Sequence, residues 1–278
     1  MSATKAMRAM PATGRRRAAR RAGIALTALA AATLAAPVLL TAWGAFSGSE
    51  WYGLRSEGAA AAGPLGLFRY VLSIWGGALW RSAELVAVVV PVALLLGAPA
   101  AYAFRRLPFP GSRLLEAMTL LPLSIPGIAL AIGLLGTGGG LPRLPLLAAG
   151  HLAYTVPLVL KTVANSLDGF DPLLEAAART LGAGPWTRAR RVVLPLLRPA
   201  LVLSSLLVFA VSWGEFNVSY LLATPLVQTY PAALYSTFTS NSFPVGAAAT
   251  VVFLLPVVPA MAAIQALGGE ELRRGLAA

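Results

Sequence analysis

Few residues in this sequence have side chains suited to catalysis or metal binding. The chain has 278 residues, of which ten are acidic, one is a histidine (His151) and none is a cysteine. The absence of cysteine excludes disulfides, thiol nucleophiles and thiolate metal sites, and a single histidine excludes a multi-histidine metal centre. We therefore expect no catalytic residue, no metal site and no cofactor bound by this chain.

One acid and one amide stand close together within an apolar stretch, at Glu215 and Asn217. Ionisable groups inside a bilayer are costly and usually face a pore or a partner. If this stretch crosses a membrane, the pattern predicts that Glu215 and Asn217 face a pore or a partner. The alternative is hydrogen bonding between helices, which is common among membrane helices.

The lysines argue against nucleotide binding. A P-loop needs a glycine-rich turn that ends in Gly-Lys-Ser/Thr, so that backbone amides and the lysine surround the phosphates. The sequence has only Lys5 and Lys161, and Leu160 precedes Lys161 within an apolar run. Any ATP hydrolysis linked to this chain must therefore come from a partner, which would bind the ATP and Mg²⁺.

The composition indicates a membrane protein. Hydrophobic residues make up 58% of the chain and charged residues 12%, and the mean hydropathy is +0.75. A soluble domain of this size would need a far more charged surface. The net charge of +12 does not indicate nucleic-acid binding, because the arginines form short clusters between long apolar runs.

Six apolar runs are long enough to cross a hydrocarbon layer of about 30 Å. They predict an all-α fold with six transmembrane helices in one domain, residues 22–278. The predicted spans are about 22–46, 82–104, 114–135, 146–165, 200–222 and 246–267. Prolines in the third and sixth spans predict kinks.

Two segments lie outside these spans near the start of the chain. Residues 1–21 carry seven basic side chains and no acid, which predicts a disordered cytoplasmic N-terminal extension that contacts anionic lipid. A cleaved signal peptide is the alternative interpretation, but the first apolar run is longer than a signal core and further spans follow. Residues 47–80 are predicted to be external, with aromatic side chains at the interface.

The distribution of Lys and Arg predicts the orientation. Six spans place both termini on one side, which carries 18 basic residues, whereas the other side carries four. The excess of basic residues marks the cytoplasmic side. We therefore predict a multi-pass protein of the bacterial inner membrane with both termini in the cytoplasm.

Residues 166–199 form the longest polar segment in the body of the chain. Asp171-Pro172 is typical of a helix start, and Glu175 and Arg179 are spaced to pair on one helical face. Gly182 suits the left-handed residue that ends a helix. A second helix is predicted from Pro185 until prolines end it before the fifth span, so two short helices project into the cytoplasm.

This segment resembles the EAA signature of binding-protein-dependent ABC importer permeases. That signature reads E-A-A, three residues, G, nine residues, I-x-L-P. We align Glu175, Ala176 and Ala177 with its opening triplet and Gly182 with its glycine. The end of the signature is aligned with Val192, Leu194 and Pro195, where valine replaces the usual isoleucine.

The resemblance covers roughly residues 70–267, and a second stretch supports it. Gly214-Glu215-Phe216-Asn217, followed by Leu222-Ala223-Thr224-Pro225, is similar to the corresponding span of iron, polyamine, phosphonate and sulfate or molybdate permeases. In that family this helix lines the translocation path, so the resemblance implies that Glu215 and Asn217 face the translocation cavity. The substrate implied is a small charged solute such as a polyamine, ferric ion or phosphonate.

The resemblance implies that residues 166–199 seat in a groove of a separate ABC ATPase and couple its closure to alternating access. It also implies a second permease subunit, or a copy of this chain, and an extracytoplasmic solute-binding protein. The purely structural alternative is an ordinary amphipathic loop that only joins two spans. Two other functions remain as alternatives: a secondary transporter that works without an ATPase, and an integral membrane enzyme, for which the sequence offers no catalytic constellation.

Overall fold

The structure is a computed structural model that describes residues 12–47, 63–107, 109–138, 140–240 and 243–277. Within these ranges it is helical and contains no strand, apart from one isolated bridge between Thr224 and Val227. The helices are α1 Ala12–Ser47, α2 Gly63–Arg106, α3 Ser112–Leu120, α4 Gly127–Gly138, α5 Arg143–Asp168, α6 Leu173–Thr180, α7 Pro185–Arg188, α8 Leu194–Gly214, α9 Asn217–Leu222, α10 Tyr230–Ser240 and α11 Phe243–Ala277. The all-α prediction is confirmed.

Five helical segments are long and apolar enough to cross a membrane, and a bent pair of helices provides a sixth candidate. The straight segments are Arg20–Phe46, Leu65–Arg106, Arg143–Asp168, Pro185–Gly214 and Phe243–Ala263. The bent pair is Ser112–Ser124 with Gly127–Gly138. Each predicted span therefore corresponds to a helical segment, although several boundaries differ.

The second span is much longer than predicted. Helix α2 has 44 residues and would be about 66 Å long at 1.5 Å per residue, so about half of it must extend beyond a hydrocarbon layer of about 30 Å. Residues 63–80 of the segment predicted to be external continue this helix, and their external position stays a prediction, while 48–62 lie outside the described residues.

The third predicted span, 114–135, is not one straight helix. A 3-10 turn over Leu121–Ser124 follows α3, and the chain bends by 103° before α4. Ile125 is extended, with φ −86° and ψ 128°, because the ring of Pro126 disfavours helical backbone in the residue before it. The proline signal predicted a kink here, and the structure makes it a full break.

The fifth span starts earlier and ends earlier than predicted. A π turn, Ala189–Val193, joins α7 to α8 without a break, and Pro199 lies inside α8, so the prediction that Pro195 and Pro199 end the second helix is wrong. The π turn ends two residues before Pro195, whose ring would otherwise clash with the preceding helical turn. At the other end, Glu215 is extended, with φ −68° and ψ 118°, and terminates α8 inside the predicted span.

The core lies between α2, α5 and α8. Helix α5 packs more extensively on α2 than on any other described helix, and Val89, Val159 and Val163 are fully buried there. Small residues permit the close approach: a Cβ on Gly97 would lie 2.7 Å from the Cβ of Val159. This tight packing fixes the C-terminal ends of α2 and α5 relative to each other, next to residues 166–199.

The two ends of the chain are helical further than predicted. Helix α1 begins at Ala12, so the prediction of disorder over 1–21 is wrong for 12–21, and residues 1–11 lie outside the described residues. Helix α1 packs mainly on α11, where Gly44 meets Phe243. Helix α11 continues to Ala277, beyond the predicted end of the sixth span at 267.

Candidate functional site

Residues 166–199 form a hairpin of helices that projects from the ends of α5 and α8. The backbone N–H of Leu173 donates to the Asp171 carboxylate at 2.9 Å, as the Asp-Pro start predicted. After α6 the chain turns at Gly182, where φ is +82°. The left-handed conformation predicted for this glycine is therefore confirmed, and it reverses the chain into α7.

The tip of this hairpin exposes large apolar side chains. Leu173 is 70% exposed, Leu181 87% and Trp186 76%. Ala176 and Ala177 are also exposed, and a Cβ on Gly182 would meet nothing within 4 Å. Large apolar side chains exposed on a segment outside the predicted spans indicate an interaction site, and the small residues nearby in the sequence leave room for a partner's backbone. We call Leu173, Ala176, Ala177, Leu181, Gly182 and Trp186 the coupling surface.

The later residues of the signature lie at the junction of the hairpin and the membrane helix. Val192 is half-buried in the π turn, and Leu194 and Pro195 are exposed in the first turn of α8. The sequence alignment of the opening triplet needs one correction. Four residues, 178–181, separate Ala177 from Gly182, whereas the signature has three. The spacing is met when Ala176 occupies the place of the glutamate and Glu175 precedes the motif.

Both carboxylate oxygens of Glu175 are bound within the chain. Its Oε1 accepts a hydrogen bond from Arg106 Nε at 3.0 Å, and its Oε2 accepts one from the Tyr102 hydroxyl at 2.7 Å. The side chains of Arg106 and Glu175 are each only 15% exposed. The predicted Glu175–Arg179 pair is therefore not formed, because both carboxylate oxygens are directed to α2.

The neighbouring arginine makes a second set of ionic contacts. Arg105 donates to Glu116 on α3 at 2.9 Å, and its Nε lies 2.9 Å from Asp168 at the end of α5. Arg113 stands only three residues before Glu116 in the sequence, yet the structure gives Glu116 Arg105 as its partner. Arg81 and Glu84, one turn apart on α2, pair at 2.7 Å.

The second candidate site lies where two membrane helices are interrupted. The break between α3 and α4 adjoins the break between α8 and α9, since a Cβ on Gly127 would lie 2.7 Å from the Cβ of Asn217. The Tyr154 hydroxyl donates to the carbonyl of Ile125 at 2.9 Å, which satisfies an acceptor that the break releases. Irregular backbone at membrane depth is tolerated only where protein buries it or where it lines a cavity.

Glu215 and Asn217 occupy this second site in different ways. Both Glu215 oxygens accept backbone N–H groups, from Val218 and Ser219, each at 3.0 Å, so the carboxylate stabilises the start of α9. The Glu215 side chain is 9% exposed. Asn217 is exposed. The local role of Glu215 corresponds to neither sequence-based alternative alone, and its place in a pathway stays a prediction.

The sequence did not assign His151 a role. Its imidazole is buried, with Nδ1 2.8 Å from the Ser212 hydroxyl and Nε2 3.1 Å from the Ser219 hydroxyl. Nε2 also lies 3.7 Å from Glu215. His151 therefore links α5 to both sides of the α8–α9 break. Only the serines at 212 and 219, seven residues apart, could have indicated this, and serine is too common in membrane helices to single them out.

Comparison with known proteins identifies the class of protein that this fold and surface define. Residues 90–269 match the family "Binding-protein-dependent transport system inner membrane component", and the chain belongs to this family.

The relatives it resembles are permease proteins. The chain is 34% identical over 207 residues to the trehalose transport system permease of Mycobacterium tuberculosis, a match that covers 69% of this chain and 73% of the relative. It is 30% identical over 220 residues to the molybdenum transport system permease of Escherichia coli, covering 70% and 93%. It is 33% identical over 175 residues to the spermidine/putrescine permease of the same species, covering 61% and 66%.

Solved structures show the same fold. A chain of a bacterial ABC transporter that imports alginate matches with a TM-score of 0.67 at 18% identity, covering 92% of this chain and 98% of that one. A chain of an inward-facing methionine ABC transporter matches with a TM-score of 0.59 at 18% identity, covering 68% and 94%. The chain is a membrane-spanning permease subunit of an ABC importer, and the alternative of an ATPase-independent transporter is not favoured.

Proposed function

We propose that the coupling surface docks this chain onto a separate ABC ATPase and transmits ATP-driven closure to the membrane helices. The observation that carries this proposal is the group of exposed apolar side chains, Leu173, Leu181 and Trp186, on a segment held firmly to α2. The ATPase would bind ATP and Mg²⁺ and hydrolyse the nucleotide. The complete importer would also contain a second permease subunit, or a copy of this chain, and an extracytoplasmic solute-binding protein.

The glycines of the chain provide a matched test. Gly182 and Gly111 both have φ +82°, and a Cβ on either would meet nothing within 4 Å. Gly182→Arg and Gly111→Arg therefore carry the same backbone cost and the same added charge, but only Gly182 lies in the coupling surface. We expect affinity purification in mild detergent to recover an ATPase with the wild type and with Gly111→Arg, and to lose it with Gly182→Arg.

Two results would contradict the docking proposal. Equal loss of the ATPase from both variants would show that the arginines act through general charge or strain rather than at a docking surface. A well-folded wild-type chain that recovers no ATPase would remove the proposal altogether, and an autonomous transporter would then become the working hypothesis.

We further propose that the hairpin and both termini face the cytoplasm in the bacterial inner membrane. The asymmetry of 18 basic residues against four supports this orientation. Because the chain lacks cysteine, single cysteines can be introduced without background. In this orientation the connection between the fifth and sixth spans is external, so in intact cells a membrane-impermeant maleimide should label Leu226→Cys. It should leave Gly111→Cys unlabelled until the membrane is permeabilised. The reverse pattern would invert the topology.

For the cargo we propose a small charged solute that passes the interrupted helices near Asn217. Relatives named for molybdenum and for spermidine/putrescine support a charged cargo, and the exposed amide of Asn217 beside two helix breaks supports the position. Uptake into proteoliposomes of the purified importer should be measured for molybdate, spermidine, ferric ion and a phosphonate, with trehalose as the uncharged comparison. Uptake of trehalose alone would overturn the charged class.

The position of the pathway needs its own variants. Asn217→Ala should lower uptake without loss of assembly, because the side chain is exposed and its removal leaves the α9 backbone unchanged. If Asn217→Ala and Glu215→Gln both kept wild-type transport and assembly, these residues would have no role in the pathway.

A further inference from the structure

The contacts of Glu175 indicate a mechanical role within the chain. Tyr102 and Arg106 are four residues apart on α2 and therefore lie on one face of that helix. Each donates to a different oxygen of the Glu175 carboxylate, at 2.7 and 3.0 Å. A carboxylate held at both oxygens fixes orientation as well as distance, so α6 cannot rotate or slide on α2 without breaking one of these bonds.

Arg106 extends the attachment to the turn before α6. Its Nη2 donates to the carbonyl of Leu167 at 3.1 Å and to that of Phe170 at 3.2 Å. These carbonyls belong to the end of α5 and the turn after it, where the last carbonyls of a helix are open to side-chain donors. One guanidinium therefore joins α2, the end of α5 and α6. Its side chain is only 15% exposed, and its Nε and Nη2 donate to acceptors within the chain.

We propose that Tyr102, Arg106 and Glu175 form an internal latch that transmits movement of the coupling surface to α2, and that Glu175 is a positioning residue rather than a contact with the ATPase. This inference rests on the proposed function. It divides the hairpin into two parts: exposed small and apolar residues that meet the partner, and a charged inner face that ties the hairpin to the membrane domain.

The test compares docking with transmission in the complete importer. Glu175→Gln weakens the latch and leaves the coupling surface unchanged, and Arg179→Gln removes a charge from the exposed side of the same helix as a control. Because the natural chain has no cysteine, spin labels attach only at Leu95→Cys on α2 and Val258→Cys on α11, both exposed positions. The distance between the two labels reports the movement of α2 when ATP and Mg²⁺ are added to the chain assembled with its ATPase.

We expect Glu175→Gln to recover the ATPase as well as wild type does, while the ATP-driven distance change shrinks. The factor by which ATP shifts the equilibrium between the two label distances should fall by roughly twofold to thirtyfold. This is the range found for residues that carry coupling energy between sites. Arg179→Gln should match wild type in both measurements. Tyr102→Phe, which removes one hydrogen bond and keeps the ion pair, should give a smaller loss in the same direction and remains informative if Glu175→Gln assembles poorly.

A double-mutant cycle adds a readout that a general structural role would not produce. If Arg106 and Glu175 act as one unit, the double variant Arg106→Gln/Glu175→Gln should lose no more transmission than the more severe single variant. Additive losses would overturn the latch.

The remaining outcomes separate the latch from the docking proposal. Loss of the ATPase from Glu175→Gln, as from Gly182→Arg, would make Glu175 a docking residue and overturn the latch while the proposed function stands. An unchanged distance response in Glu175→Gln, or no response of α2 to ATP in the wild type, would also overturn it. Failure of the wild type to recover any ATPase would instead reject the proposed function.

Discussion

Gly97→Ala tests whether the α2–α5 contact holds the membrane domain together. A Cβ at position 97 would lie 2.7 Å from the Cβ of Val159 and 3.0 Å from the carbonyl oxygen of Val156. Carbon atoms in contact prefer about 3.5–4.0 Å, so α5 would have to move away by about 1 Å. One of the obstacles is backbone, which cannot be relieved by a change of rotamer.

The net cost can be worked from opposing contributions. Overpacking a tight contact costs about 1–3 kcal/mol, whereas replacing glycine by alanine inside a helix contributes about 0.5–1 kcal/mol of stabilisation. We therefore expect Gly97→Ala to destabilise the domain by about 0–2.5 kcal/mol, with a midpoint of about 1 kcal/mol. At about 2–4 °C per kcal/mol for a chain of this size, the melting temperature should fall by several degrees.

Gly133→Ala is the matched control, because Gly133 also lies inside a helix but a Cβ there would meet nothing within 4 Å. It should be unchanged or slightly more stable than wild type. The assay is thermal unfolding in detergent, followed by tryptophan fluorescence and by the monodisperse fraction on size exclusion. If Gly97→Ala melts at or above the temperature of Gly133→Ala, the close approach of α2 and α5 is wrong.

Three further substitutions probe the surface and the interrupted helices. Trp186→Ala should weaken ATPase capture by at least about tenfold, as for an interfacial hot spot. Leu226→Ala, at a position that is also highly exposed, should leave capture unchanged. Pull-down titration would measure both affinities, and equal effects would contradict a docking role for Trp186. Glu215→Gln should lower the free energy of unfolding by about 1–3 kcal/mol, and with it the melting temperature, because one charged acceptor for the α9 amides becomes a donor. An unchanged melting temperature would contradict the capping role. His151→Leu should also lower it, by about 1–3 kcal/mol for each buried hydroxyl left without its partner, and full stability would show that Ser212 and Ser219 find other partners.

The sequence predicted the helical spans because apolar runs of membrane length seldom occur outside helices that cross a bilayer. It also predicted individual backbone features that depend on one residue type. Gly182 adopts φ +82°, and Asp171 accepts the N–H of Leu173. These are local effects of a missing side chain and a short carboxylate, and neighbouring residues are sufficient to determine them.

The partners of charged residues could not be predicted in the same way. Glu175 has Arg179 four residues away, yet it binds Tyr102 and Arg106, which are 73 and 69 residues distant along the chain. Glu116 likewise binds Arg105 rather than Arg113. Local spacing gives the pairs that an isolated helix would form, whereas tertiary packing brings better-desolvated partners into reach.

The lengths of the helices were the other source of error, and proline explains most of it. Pro126 ends a helix because the residue before it is forced into an extended conformation. Pro195 does not end one, because the π turn before it accommodates the ring. The same residue type thus breaks one span and is tolerated in another. The sequence alone does not show which, since the outcome depends on whether the preceding turn can widen.

The continuity of α7, the π turn and α8 has a consequence for how the two candidate sites communicate. Residues Pro185–Gly214 form one helical segment of 30 residues, about 45 Å long at 1.5 Å per residue. The exposed Trp186 stands near its first turn, and the Glu215 break follows its last residue. A displacement of the coupling surface along this helical segment would arrive at the break, where the Glu215 carboxylate accepts the first amides of α9 and His151 contacts Ser219. Helix α2, attached through the latch, and helix α8 would then move together, because both are connected to the same hairpin. The interrupted helices are the part of the membrane domain best able to change shape.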